Sequence, residues 1–135
     1  MDMVLRVSSA QREIVNAEAA PAALGPYSHA VRCGGLLFCS GQIPLDPASG
    51  ELVGGSVATQ ARRCLDNLAA VCEAAGTTLA RAARITIYMT DLTAFGQVNE
   101  VCAEVFTSDP PARATVGVAA LPRGAAVEID AIVAL

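Results

Sequence analysis

Two charged positions near the C-terminal end of the chain have the types and spacing that acid–base chemistry requires. Arg113 follows Pro110-Pro111, a pair that fixes an extended approach, and Glu128 and Asp130 stand among aliphatic residues. An apolar strand that contains carboxylates, beside a strand that begins with an arginine, predicts a site for a small anion and a proton-transfer group.

Each of these side chains has a chemical role that follows from its type. The planar guanidinium of Arg113 can hold a carboxylate through two parallel hydrogen bonds. Glu128 can position or deprotonate a water molecule and return a proton to a leaving group. Asp130 is predicted to share a strand face with Glu128, so like-charge repulsion and partial burial should raise the pKa of Glu128 toward neutrality. The alternatives are a surface arginine after a proline turn and a solvated strand face.

Composition narrows the class of protein. The 135 residues carry a net charge of −4, which argues against a nucleic-acid surface. All nine cationic side chains are arginines, so lysine Schiff-base chemistry and a pyridoxal phosphate cofactor are excluded. The sequence shows neither a transmembrane segment nor a leader, which predicts a cytoplasmic protein. The five cysteines lack metal-ligand spacing, so we expect core packing, no metal and no cofactor.

Hydrophobic periodicity predicts an α+β fold with two helices packed on one face of a sheet. The first helix begins at Val57, with Ser56 as its N-cap and Gly76 as its stop, and the second runs from about Phe95 to Phe106. The second helix is expected to bury Phe95, Val98, Cys102, Val105 and Phe106. Strands are predicted over residues 12–16, 27–32, 36–40, 83–90, 114–119 and 126–134. Residues 1–10 are expected to form a flexible tail before a single domain over residues 11–135.

The last two predicted strands are joined by Leu121-Pro122-Arg123-Gly124, which we interpret as a simple hairpin turn. In that hairpin paired residue numbers sum to about 245, so Arg113 faces about Ile132 and Glu128 faces about Gly117. The two functional groups would then lie roughly 13 Å apart along the strands, too far for a small ligand to bridge. This predicts that a neighbouring subunit completes the site.

Short motifs follow one another in order from about Ile14 to Leu135: Gly25-Pro26-Tyr27-Ser28, Ser40-Gly41-Gln42-Ile43-Pro44-Leu45-Asp46-Pro47, Leu65-Asp66-Asn67-Leu68, Tyr88-Met89-Thr90-Asp91-Leu92, Val98-Asn99-Glu100, Pro111-Ala112-Arg113 and Val127-Glu128-Ile129. Together they resemble the RidA/YjgF family of reactive intermediate deaminases. The chain departs from the family pattern at His29, where glutamine is common, and in about ten extra N-terminal residues.

The resemblance implies a chorismate-mutase-like mixed sheet, a homotrimer and ligand sites in the clefts between subunits. It also implies cofactor-free hydrolysis of 2-imino acids, such as 2-iminobutanoate and 2-iminopropanoate, to 2-oxo acids and ammonia. These imines and their enamine tautomers escape from pyridoxal-phosphate dehydratases that act on serine and threonine. The implied partner is therefore a small imine or enamine that bears a carboxylate, and not a nucleic acid or a membrane.

The resemblance makes Arg113 the carboxylate-binding residue and Glu128 the acid–base residue. It also assigns supporting roles to Tyr27, Ser40, Gly41, Asn99 and Thr115. Tyr27 would pack over the ligand and donate its hydroxyl, and Gly41, after Ser40, would offer its N–H. Asn99 would hold a loop or a water molecule, and Thr115 would present its backbone carbonyl. Three of them also have a plain structural alternative: Tyr27 as a core aromatic, Gly41 as a turn glycine and Asn99 as an exposed helix amide.

Four other functions fit the same sequence. The chain could be a ligand-binding or regulatory module without turnover, or a deaminase dedicated to one pathway, such as aminomuconate breakdown. It could also be a holdase or an RNA-cleaving protein, kinds of role reported for relatives of this family. Retention of Arg113 favours catalysis, and the acidic charge disfavours RNA cleavage.

Overall fold

A mixed sheet with two α-helices forms the described part of the protein, residues 11–135 of a computed structural model. The tail predicted over residues 1–10 lies outside the described residues. Strands follow the order β1-β2-β3-β6-β4-β5, in which β4 and β5 are parallel and every other pair is antiparallel. The strands are β1 Glu13–Val15, β2 Ala30–Cys33, β3 Leu36–Gln42, β4 Ala82–Met89, β5 Ala112–Gly117 and β6 Val127–Ala134.

The first helix, α1, spans Val57–Ala74 and has the ends that the sequence predicts. The Ser56 hydroxyl accepts a hydrogen bond from the Thr59 N–H at 3.2 Å, which satisfies one of the free donors of the first turn. Gly76 follows the helix at φ 84°, a conformation that costs glycine little. The second helix, α2, spans Phe95–Val105.

A hairpin with its turn at Gly34-Gly35 joins β2 and β3. Both glycines have positive φ, 63° and 82°, which suits a two-residue turn with the twist of the flanking strands. Strand β2 begins at Ala30 rather than at Tyr27. The preceding backbone bonds elsewhere: the Tyr27 N–H donates to Gly25 O and the His29 N–H donates to Asn16 Oδ1.

One face of the sheet lies under the helices and holds the core. The inward residues of β4 are Ile85, Ile87 and Met89, as their alternation predicts. Strand β6 buries Val127, Ile129, Ala131 and Val133 in the same way. The intervening residues of both strands lie on the opposite face, which we call the outer face.

The predicted pairing of the last two strands is wrong. Strand β5 pairs with β4 alone in the described sheet, in parallel, and β6 lies between β3 and β4. Strand β5 is parallel to β4 because the connection between them crosses over through α2. Strand β6 lies at the centre of the sheet because its aliphatic side chains are buried most completely there. Between the two strands, Pro122–Gly124 forms a 3-10 turn with Arg123 at φ 61°.

The cysteines pack as predicted: Cys39, Cys64, Cys72 and Cys102 are buried, and Cys33 is half-buried. Burial raises the pKa of the Cys64 thiol, which donates to Val127 O at 3.6 Å. His29 is buried with a structural role, since its Nδ1 accepts from the Ala17 N–H at 2.9 Å. Neither α1 nor α2 has the length and apolar character needed to cross a bilayer.

Asn67 fastens the loop of residues 43–55 to α1. Its side chain is fully buried, and Nδ2 donates to Leu45 O at 3.0 Å and to Ile43 O at 3.4 Å. The Arg63 Nε–H donates to Asn67 Oδ1 at 3.1 Å. Ile43 and Leu45 form a second small core cluster with Ala125. One buried amide therefore holds both a loop and its packing in place.

We expect Asn67→Leu to destabilise the protein by about 1–3 kcal/mol, because it removes the side-chain donor to the Leu45 carbonyl and leaves the Ile43 carbonyl with the Leu45 N–H alone. Urea unfolding followed by circular dichroism measures the change. Glu73→Ala, an exposed position on the same helix, serves as the control and should stay within about 0.5 kcal/mol of the parent. Equal stability of the Asn67 variant and the parent would contradict this account.

Candidate active site

Glu128 lies on the outer face of the central strand, where the neighbouring strand is deformed to admit it. Strand β3 shifts register between Cys39 and Gln42, so that a bulge forms at Ser40 and Gly41. A Cβ at position 41 would overlap the Glu128 carboxylate. A side chain at position 41 would therefore displace the Glu128 carboxylate from its position, and glycine leaves room for it.

The Glu128 side chain lines a cavity of about 520 Å³, and four of the predicted site residues are among the residues that line it. The cavity has polar groups on one side and aliphatic groups on the other, which suits a small amphipathic ligand. It is lined by Leu24, Tyr27, Ser40, Gly41, Ile43, Pro122 and Glu128.

The hydroxyls of Tyr27 and Ser40 are oriented by backbone groups. The Tyr27 hydroxyl oxygen accepts a hydrogen bond from the Leu24 N–H at 3.1 Å, which leaves its own proton available to a ligand. Ser40 Oγ donates to Ser28 O at 2.7 Å, which leaves its oxygen as an acceptor. The cavity thus offers one donor and one acceptor beside the carboxylate.

The environment of Glu128 favours its protonated form more than water does. Burial raises the pKa of the Glu128 carboxyl, and the negative charge of Asp130 raises it further. This is the direction that the sequence predicts, although burial contributes more than the neighbouring charge. A carboxyl with a raised pKa can exchange a proton near neutral pH.

Arg113 lies on β5, away from the Glu128 cavity, and its guanidinium contacts side chains of α2. Its Nη2 donates to Asn99 Oδ1 at 2.7 Å, and its guanidinium carbon lies 5.4 Å from the centre of the Phe95 ring. Phe95 is 39% exposed, so the prediction that it is buried is wrong: its ring supports the arginine. Arg113 itself is exposed, with further N–H groups directed away from Asn99.

A second cavity of about 460 Å³ adjoins Arg113. It is mostly apolar, and the guanidinium and the Asn99 amide are its polar end. Its lining residues are Ile85, Asn99, Cys102, Ala103, Phe106, Thr107, Pro110, Pro111 and Arg113.

Thr115 lies two residues beyond Arg113 and lines neither of these two cavities. The Val118 N–H donates to Met89 O at 2.8 Å, and backbone groups alternate along a strand. The N–H and carbonyl of Thr115 therefore point away from β4, toward the edge of the sheet that β5 forms. Its hydroxyl oxygen is buried and has no hydrogen-bond partner among the described residues.

Arg113 and Glu128 do not meet within the chain. Arg113 is in register with Ile85, on the helix side, whereas Glu128 is in register with Tyr88, on the outer face. Strand β4 lies between them, and the usual spacing and rise of strands separate their backbones by about 14 Å. The predicted hairpin between β5 and β6 is absent. Arg113 and Glu128 are separated instead because β5 lies parallel to β4, on the side of β4 away from β6.

Two features of the site escaped prediction. The aliphatic wall of the Glu128 cavity comes from Leu24, Ile43 and Pro122, which belong to segments that only the fold brings together. The contact of Phe95 with Arg113 also depends on the fold, although Phe95 and Asn99 are four residues apart and so share one helix face.

The arrangement can bind an anion at one cavity and transfer a proton at the other. The described residues include no group of three or more histidine, cysteine, aspartate or glutamate side chains that could hold a metal ion. The groups available for chemistry are therefore the guanidinium of Arg113, the carboxyl of Glu128, two hydroxyls and the backbone around them.

Known proteins resemble this chain over nearly its whole length. The family model described as Endoribonuclease L-PSP matches residues 17–135. Protein DfrA of Myxococcus xanthus is 54% identical over 123 residues, which cover 90% of this chain and 94% of that protein. The 2-iminobutanoate/2-iminopropanoate deaminase of Mus musculus is 44% identical over 126 residues, 93% of each chain.

A solved structure agrees with the architecture as well. RidA from the Antarctic bacterium Psychrobacter superposes with a TM-score of 0.88 at 41% identity, covering 91% of this chain and 99% of that one. The family match, the sequence identities and the shared fold point the same way. The chain belongs to the RidA/YjgF family, for which the order of its motifs is typical.

Proposed function

We propose that the protein is a cofactor-free deaminase that hydrolyses 2-imino acids to 2-oxo acids and ammonia, with 2-iminobutanoate and 2-iminopropanoate as substrates. The observation that carries the proposal is the half-buried Glu128 carboxyl, with its raised pKa, in a cavity that also offers hydroxyl groups. The name of the mouse relative, 2-iminobutanoate/2-iminopropanoate deaminase, supports the same reaction.

Arg113 binds the substrate carboxylate in this mechanism. Asn99 and Phe95 hold the guanidinium from α2, so that the arginine is oriented before the ligand arrives. Two parallel hydrogen bonds to the carboxylate then fix the adjacent imine carbon in space.

Glu128 activates the water that attacks this carbon. The carboxylate takes one proton from the water as the new C–O bond forms and passes it to the imine nitrogen. It then takes the remaining proton from the hydroxyl group of the tetrahedral intermediate and returns it to nitrogen as the C–N bond breaks and the C=O bond forms. Water and the 2-imino acid are converted to the 2-oxo acid and ammonia, without an external electron donor or acceptor. Tyr27 donates its free hydroxyl proton to the ligand, Ser40 and Gly41 shape the cavity, and the Thr115 carbonyl faces the ligand.

Because Arg113 and Glu128 lie on opposite faces of the sheet, we propose that they act in clefts between subunits of a chorismate-mutase-like homotrimer. Arg113 of one subunit would meet Glu128 of the next. The exposed outer face offers the contact surface, since Phe38 is 43% exposed and is in register with Ile132 there. A closed ring of three gives each cleft one copy of each group.

A ligand-binding module is the second candidate, since the Glu128 cavity has an aliphatic wall that binding alone would explain. A dedicated deaminase, such as one for aminomuconate, would use the same groups on a larger substrate. Ammonia release from imines generated in situ by an amino-acid oxidase separates these possibilities. A binding module releases none above the oxidase background, and a dedicated enzyme acts on few of the imines.

We expect Arg113→Ala to lower the rate of ammonia release by on the order of a hundred-fold, because the carboxylate loses its charged partner. Arg113→Lys should also be impaired, since lysine keeps the charge but lacks the bidentate geometry. Arg12→Ala is the control. Arg12 is exposed and precedes β1, at the edge of the sheet opposite β5, so this variant should retain the parent rate. Hydrolysis of 2-iminobutanoate by Arg113→Ala at the parent rate would show that the carboxylate assignment is wrong.

We expect Glu128→Gln to lower the rate by about a hundred-fold or more while a 2-oxo acid still binds, because glutamine keeps the shape but cannot transfer a proton. Calorimetric titration with 2-oxobutanoate measures the binding, and Glu51→Gln, an exposed glutamate, is the control. Parallel loss of binding and turnover would instead assign Glu128 a structural or binding role.

The shared cleft can be tested with hybrid trimers. Inactive Arg113→Ala and Glu128→Gln chains, unfolded and refolded together, should regain activity in about one quarter of the clefts, since each group then comes from a different chain. Light scattering should show a particle of about three chains. Two batches of Arg113→Ala chains refolded together are the control and should stay inactive. An active monomer, or no recovery from well-mixed trimers, contradicts the shared cleft.

A further inference from the structure

Tyr88 carries a hydroxyl on the outer face that the mechanism above does not use. The hydroxyl donates to Asp130 Oδ2 at 3.0 Å. The Tyr88 backbone is in register with Glu128, while Asp130 is paired with Thr86 one step away on the same face. The tyrosine, the second carboxylate and Glu128 therefore form one cluster across β4 and β6.

We propose that Tyr88 is a positioning residue for Glu128: its hydroxyl holds the Asp130 carboxylate on the outer face, so that a fixed negative charge stands beside Glu128. The inference deepens the proposed function and rests on it for the role of Glu128 in turnover.

The hydrogen bond restrains the Asp130 side chain, which loses the freedom to turn into solvent. The donor keeps its proton, because the hydrogen bond to Asp130 raises the pKa of the Tyr88 phenol. A charge that is held in one place beside Glu128 repels the Glu128 carboxylate more than a mobile one does.

The titratable groups that face Glu128 are few in the described residues. Asp130 comes from the same strand, Tyr88 from β4, Tyr27 from the loop before β2, and the Cys64 thiol from α1 on the other side of the sheet. None of the residues that line the Glu128 cavity is cationic. The Asp130 charge is therefore not offset there, and its position matters to Glu128.

We expect Tyr88→Phe to lower the pKa of Glu128, because the freed Asp130 carboxylate can turn away from it into solvent. Asp130→Asn should lower that pKa further, since it removes the charge. The acidic limb of the pH–rate profile should move to lower pH in the same order, because the Glu128 carboxylate then persists to lower pH. The double variant should match Asp130→Asn alone, as expected when one residue acts through the other.

Carboxyl NMR titration of chains labelled with ¹³C-glutamate measures the Glu128 pKa directly, and comparison with Glu128→Gln assigns its signal. This measurement needs no turnover. If the protein releases no ammonia, the proposed function fails, while the titration still decides the role of Tyr88.

Two controls separate positioning from a general change in structure. Val116→Ala alters packing on the strand beside Tyr88, where the two residues are in register, and should leave the Glu128 titration unchanged. Asp130→Glu keeps a carboxylate and should stay closer to the parent than Asp130→Asn does. If Tyr88→Phe fails to fold, the pKa of the Tyr88 phenol is measured instead, from the NMR signal of Tyr88 Cζ in the parent and in Asp130→Asn. The Asp130→Asn substitution should lower that pKa. An unchanged Glu128 pKa in folded Tyr88→Phe, additive shifts in the double variant, or an unchanged phenol pKa in Asp130→Asn would overturn the proposal.

Discussion

The site depends on the position of β6 between β3 and β4. A strand that is paired on both sides and covered by α1 must bury one set of alternate side chains, and Val127, Ile129, Ala131 and Val133 meet this demand. The same alternation places Glu128 and Asp130 together on the opposite face. The aliphatic half of the strand thus fixes the position of the carboxylates, and their partial burial follows from the pairing on both sides.

The neighbouring strands are adapted to this central strand. Strand β3 bulges at Gly41, where a side chain would overlap Glu128, and β4 supplies the hydroxyl that binds Asp130. Arg113 is instead positioned from the helix layer, through Asn99 and Phe95. The two charged groups are therefore supported by different layers of the fold: packing changes in α2 act on the position of Arg113, and changes in the sheet act on the position of Glu128.

Much of the local structure could be predicted because it depends on near neighbours in sequence. The ends of α1 follow from Ser56 and Gly76, the first hairpin from Gly34-Gly35, and the alternation of β4 from its own side chains. The order of the strands could not be predicted in this way. Leu121–Gly124 has the composition of a hairpin turn, but the choice between pairing with β5 and insertion beside β3 rests on long-range burial.

The same distinction applies to the site. The like charge of Asp130 predicts from sequence that the pKa of Glu128 is raised, and the structure adds burial as the larger cause. The environment of each group could not be predicted, because Leu24, Ile43 and Pro122 meet Glu128 only through the fold. Phe95 reads as a core residue by its periodicity, yet the fold leaves it half-exposed over Arg113.

The placement of the thiols bears on how the protein withstands electrophiles. Imines and 2-oxo acids react with amines and thiols, and the sequence contains no lysine. Cys39, Cys64 and Cys72 are closed off in the core, and burial keeps the Cys64 thiol protonated. Cys102 is buried as well, but it lines the cavity beside Arg113. Cys33, beside the Gly34-Gly35 turn, is left as the more accessible sulfur. Among the described cysteines, a carbonyl compound in solution therefore meets this peripheral thiol before it meets a thiol of the core.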